Sequence, residues 1–262
     1  MTSLTFPDHL PEADRVRLGE LVERNRAAHG DGLLGLALSG SAGRPGMATE
    51  RSDLDVFVFL SPDASRGRTT SRSPEVDEIP WPLDDLDVPA VYGTEGWWYR
   101  WSCAWAPVLL DRTGGRIAAA LRREATVTRD EADAIIVDHD RLGGWINFAY
   151  RALKADRDGR PLERRLDACE SLPWLLDVVF SMAGRVRPYN KYLAWELEHH
   201  PVPGWEDLVD LVDRTLGGDP EALRDTFARI EVACRDQDAS GGNRMTQDVV
   251  TDWGAQLEIF RS

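Results

Sequence analysis

Two aspartates one residue apart, Asp53 and Asp55, open an apolar run from Val56 to Leu60. Side chains in a strand repeat every two residues, so this spacing puts both carboxylates on one face. Carboxylates held that close repel and raise each other's pKa unless a cation lies between them. Mg²⁺ is the cation that prefers such oxygen ligands and also accompanies phosphates. Upstream, a second apolar run, Leu33 to Leu38, ends at Ser39-Gly40-Ser41, and eleven residues separate Ser41 from Asp53. A Gly-Ser turn offers backbone N–H groups and a hydroxyl to phosphate oxygens. Carboxylates for a metal beside a cradle for phosphate are the minimum equipment for phosphoryl or nucleotidyl transfer. Arg44, inside the spacer, is placed either to reach a phosphate or to sit exposed in the turn.

Gly40-Ser41, the spacer, Asp53-Leu54-Asp55 and the apolar flanks together resemble the signature of the DNA polymerase β-like nucleotidyltransferase superfamily. More narrowly, they resemble the small bacterial antibiotic nucleotidyltransferases. The resemblance implies transfer of AMP from ATP, with Mg²⁺, to a hydroxyl of a small molecule such as an aminoglycoside-like antibiotic. Pyrophosphate would be released. It assigns the metal to Asp53 and Asp55 and the phosphates to Gly40 and Ser41, with Ser52 beside them. It also implies a third acidic residue on a neighbouring strand. Asp111 closes the apolar run Pro107-Val108-Leu109-Leu110 and is the candidate, as metal ligand or as base; otherwise it is a turn residue before Thr113-Gly114-Gly115. A lysine from the helical part reaches the nucleotide in such proteins, and Pro188-Tyr189-Asn190-Lys191 offers Lys191, with Arg185 and Arg187 behind it. Two other readings are a protein AMP-transferase of the antitoxin type and a non-catalytic nucleotide-binding protein.

The elements that must position these residues form two parts. Residues 1–125 are expected to form an α+β nucleotidyltransferase domain with a small mixed sheet, and 126–262 a helical bundle that binds the acceptor. Residues 11–29 read as a helix stopped by Gly30-Asp31-Gly32. Residues 61–80, rich in Ser, Pro, Arg and Asp, read as a mobile loop. Val88–Tyr92 and Trp97–Trp101 are aromatic and β-branched and read as strands. Four of the ten tryptophans, Trp97, Trp98, Trp101 and Trp105, crowd together, as core filling or as a stacking platform.

Beyond Arg116 the pattern turns helical. Thr128-Arg129-Asp130-Glu131 has the form of a capping box, and the apolar positions after it run on to Leu153 as one helix, loosened by Gly143-Gly144. In the next helix Asp167, Glu170, Trp174 and Asp177 fall on one side. They are either a surface for an amine-rich ligand, with Glu170 as a base, or a row paired with arginines such as Arg164 and Arg165. Pro173 should kink that helix. A helix over Trp205–Leu216, another from Asp219-Pro220, a polar loop over 236–244 and a short last helix complete the chain.

The formal net charge of −14 argues against a DNA- or RNA-binding surface and suits a cationic small molecule. Three scattered cysteines fit a reducing compartment. No run is long enough to span a bilayer and no signal segment is seen, so the expectation is a cytoplasmic monomer or homodimer without membrane partners.

Overall fold

The computed structural model describes residues 4–262. The chain is α+β and divides into two compact units, Met1–Ala125 and Thr126–Ser262.

The first unit is built on a four-stranded mixed sheet. Its strands are β1 (Leu33–Leu38), β2 (Leu54–Leu60), β3 (Val76–Pro82) and β4 (Val108–Asp111), in spatial order β3-β2-β1-β4. β1 runs antiparallel to both β2 and β4, whereas β2 and β3 are parallel. One face, with Leu36, Leu38, Val56 and Val58, packs against Leu18, Leu21 and Val22 of helix α1 (Glu12–His29). The other face, with Ala37, Phe57 and Phe59, packs against residues 117–121 of a later helix and against Leu83 and Leu86. A strand buried on both faces has no polar side to show, which is why β1 and β2 read as unbroken apolar runs.

Two expectations for this unit are corrected. Residues 61–80 are not a loop throughout: a short helix α2 (Pro62–Ser65) follows β2, and Val76–Pro82 is β3. Its prolines are tolerated because β3 is an edge strand, where a missing N–H costs no ladder bond. Val88–Tyr92 is not a strand, and Glu95–Arg100 forms helix α3. The aromatic residues there are driven by burial, not by sheet pairing: Trp97 and Trp101 are buried. Helix α4 (Arg116–Ala125) closes the unit and supplies Ile117, Ala120 and Leu121 to the core.

The second unit is built from helices. Thr128 caps α5 (Arg129–Asp133) with both bonds of the capping box in place. The single long helix expected here is broken, however. A π-helical turn, Ala134–Asp138, and Asp140 in the left-handed region (φ 52°) precede α6 (Arg141–Arg157). Gly144 does not loosen α6; a Cβ there would lie 2.3 Å from the Trp174 ring, so this glycine lets α7 (Pro161–Met182) approach closely. α7 runs on through Pro173. Then follow α8 (Leu193–His199), α9 (Leu208–Leu216), α10 (Pro220–Gly241) and α11 (Met245–Thr251). Asp219 caps α10 at the Glu221 amide, 3.0 Å away, with Pro220 in the first turn. α10 extends through most of the expected polar loop, and buried Asp238 near its end accepts the amides of Thr246 and Gln247.

Candidate active site

Strand direction decides which acidic residues meet. β1 runs toward Ser39, and β2 starts beside it: the Ser39 amide donates to the Asp55 carbonyl at 2.7 Å. β3 is parallel to β2, so it starts at the same end, with Asp77 directly in register with Asp55. Residues paired in register point to the same face. Carboxylate oxygens of Asp53, Asp55 and Asp77 accordingly lie within 4.8 Å of one another. Asp77 is buried, while Asp53 and Asp55 are half-buried. The Ser73 amide donates to Asp77 at 3.3 Å, and the Arg72 guanidinium stands 3.6 Å from its other oxygen. Glu78, next along β3, turns to the opposite face and meets Arg24 and Asn25 of α1.

Asp111 is the correction. β4 is antiparallel to β1, so its start lies beside the glycine turn and its end lies at the far edge, with Asp111 opposite Gly35. There its carboxylate accepts the Thr113 amide (2.7 Å), the Thr113 hydroxyl (2.6 Å) and the Gly115 amide (2.9 Å). It closes a turn before α4. The third carboxylate beside Asp53 and Asp55 is Asp77, in the stretch whose polar composition suggested a loop. The signal was Val76-Asp77-Glu78-Ile79, apolar residues bracketing an acidic pair at strand spacing.

The glycine turn abuts the acidic group. Gly40 has φ 59°, a conformation that suits glycine, and a Cβ at this position would lie 1.9 Å from Asp55 Oδ2. The spacer after it is a series of turns, not a helix: the Gly43 amide donates to the Ser39 carbonyl and the Arg44 amide to the Ser41 carbonyl. The amides of Ser41 and Ala42 donate no hydrogen bond among the described residues. Arg44 is not available to a phosphate. It is fully buried, donates to the carbonyls of Gly40 and Ala104, and stacks 4.2 Å over the Trp101 ring. Its work is to brace the turn. The Ser52 hydroxyl accepts the Thr49 amide at 2.9 Å and so fastens the chain just before Asp53.

Glu170 and Lys191 belong to the second unit, and both are exposed. Lys191 holds its ammonium 4.6 Å over the Tyr192 ring. Around Glu170 the acidic row is paired, but with arginines other than Arg164 and Arg165. Asp167 meets Arg151 (3.1 Å), and Asp177 meets Arg141 (3.5 Å) and Arg187 (3.4 Å). Arg141 also stacks on Trp174. Arg185 is held by Glu196 and the His200 carbonyl.

Three carboxylate donors suit a hard divalent cation, and the space that glycine leaves beside Asp55 keeps the turn within reach of whatever the carboxylates hold. Three carboxylates this close repel one another, a repulsion that a bound cation relieves, and Arg72 stands beside Asp77. Among the described residues no helix is long and apolar enough to cross a membrane.

No protein-family model matches the chain, and no curated protein matches it. Among solved structures it is similar to a nucleotidyltransferase-like protein from Exiguobacterium sibiricum 255-15, at 9% identity and a TM-score of 0.39, over 94% of this chain and 89% of that one.

Proposed function

We propose that the protein is a nucleotidyltransferase that moves AMP from ATP to a hydroxyl of a small molecule and releases pyrophosphate. The observation that carries this reading is the meeting of Asp53, Asp55 and Asp77 on two parallel strands, against a glycine turn where a Cβ would strike Asp55. Asp53, Asp55 and Asp77 would hold Mg²⁺, which when bound supplies neutralisation of triphosphate charge. The amides of Ser41 and Ala42 and the Ser41 hydroxyl bind phosphate oxygens at the end of β1. Asp77 orients the acceptor hydroxyl and takes its proton as the new O–P bond forms and the bond to the pyrophosphate oxygen breaks. Alignment and fixed charge provide most of the rate, because ATP itself carries the reactive phosphorus.

The acceptor in this reading is an amine-bearing polyol of the aminoglycoside kind. The excess of acidic over basic residues, 45 against 31, supports a cationic substrate. Pyrophosphate release from Mg²⁺-ATP over a panel of aminoglycosides, lincosamides and other polyols tests it. Release with one acceptor class, absent in Asp55→Asn, is expected. No release with any acceptor, together with no Mg²⁺-dependent stabilisation by ATP, would overturn the reading.

A further inference from the structure

The first half of α7 leaves an apolar row in solvent. Leu162 and Leu166 are 59% and 61% exposed, Cys169 is half-buried and Pro173 is exposed. Their spacing of four, three and four keeps them on one side of the helix, as the a and d positions of a two-helix seam. Leu216, also exposed, adjoins the row: its carbonyl accepts the Cys169 thiol at 3.8 Å. Single apolar side chains on a surface are ordinary, but this row is flanked by charge. Arg165 lies along one edge and Glu170 along the other. Both are exposed, and neither makes an ion pair among the described residues. On the same helix Arg164, Asp167 and Asp177 are all paired. The stem of Arg165 is held in place by the turn after α9, where a Cβ on Gly218 would lie 2.6 Å from its Cγ.

We propose that this row is the seam of a twofold homodimer, in which α7 packs parallel and in register against α7 of a second copy of the chain. Leu162 and Cys169 then take d positions and Leu166 and Pro173 take a positions. Arg165, just before an a residue, is at g, and Glu170, just after a d residue, is at e. In a parallel pair, g on one helix faces e on the other, five residues further on. Arg165 therefore meets Glu170 of the partner subunit, and the twofold axis makes the pair twice. An antiparallel pair would bring g to g and e to e, setting Arg165 against arginine and Glu170 against glutamate. The two charges thus select both the partner and its direction. This inference stands whether or not the protein transfers nucleotides.

Sedimentation of the full chain across a concentration series tests this, with circular dichroism to show that each variant folds. A reversible dimer is expected for the wild type. Arg165→Glu and Glu170→Arg each weaken it about tenfold or more, because like charges then face each other across the seam. The double swap, Arg165→Glu with Glu170→Arg, restores the affinity to within a few fold. A second readout fixes the direction. Cys169 faces its own copy across the twofold axis, so mild oxidation links two chains through it, and Cys169→Ser abolishes the link. Cys103 and Cys234 are buried and do not contribute. A wild type that stays monomeric at every concentration overturns the proposal. So does a dimer that the single swaps leave unchanged, that the double swap fails to restore, or that gives no link through Cys169.

Discussion

Two groups of acidic residues in this protein resemble each other in sequence and differ in kind. Asp53, Asp55 and Asp77 converge on one point, with oxygens within 4.8 Å of one another. Asp167, Glu170 and Asp177 are spread along α7, and the flanking two are met by Arg151, Arg141 and Arg187. The first arrangement concentrates like charge and invites a multivalent cation. The second carries its counter-charge in the protein and locks α7 to α6. Spacing in sequence does not separate these cases; convergence in space does.

The largest effect should come from breaking the first group. Asp55→Asn is expected to lower transfer at least a thousandfold and to abolish the Mg²⁺-dependent rise in melting temperature, as metal-site charge is usually worth several kcal/mol. Asp177→Asn, in the second group, should leave transfer and Mg²⁺ dependence alone and lower stability by about 1 kcal/mol, since its partners are partly solvated. Pyrophosphate release and thermal melts with and without EDTA read both. If Asp177→Asn erased the Mg²⁺ dependence, the contrast between the two groups would collapse.

Next are the glycines that pack against each group. Gly40→Ala puts a Cβ 1.9 Å from Asp55 Oδ2 at a positive φ, so either the turn or the carboxylate must move. A displacement of about 1 Å at a reacting centre costs roughly a hundredfold in rate, and that loss is the expectation in kcat. Gly144→Ala drives a Cβ into the Trp174 ring at 2.3 Å. Overpacking of this kind costs about 1–3 kcal/mol, measured by denaturant melts, with no change in metal affinity. The first glycine makes room for the Asp55 carboxylate and the second for the Trp174 ring.

Much of this was legible in the sequence. β1, β2, α1 and the Gly40–Asp55 pairing announce themselves because strands buried on both faces leave long apolar runs and the turn needs glycine. β3 escaped because an edge strand tolerates Pro80 and Pro82 and needs polar residues on its open side, so its composition copies a loop. Asp77 went with it. α3 was hidden by aromatic residues that suit strands by propensity yet are placed by burial. Arg44 looked like a phosphate ligand because no sequence rule shows that Trp101 and the Ala104 carbonyl will enclose it. The break between α5 and α6 at Asp140 carries no proline or glycine to mark it.

The smallest effect separates the two aspartates that compete for the third place. Asp111 spends its carboxylate on two backbone amides and a hydroxyl at the far end of β4, where an asparagine keeps the shape and loses the charge. Asp111→Asn should therefore cost about 1 kcal/mol of stability and leave kcat within a factor of two or so, because Asp111 lies opposite Gly35, at the other end of β1 from the acidic cluster. Asp77→Asn should do the reverse, sparing stability and removing turnover. Strand polarity alone sets this difference: β3 begins where the glycine turn lies, and β4 ends where it does not. Turnover lost in Asp111→Asn and kept in Asp77→Asn would exchange their roles and move the catalytic face to the other end of the sheet.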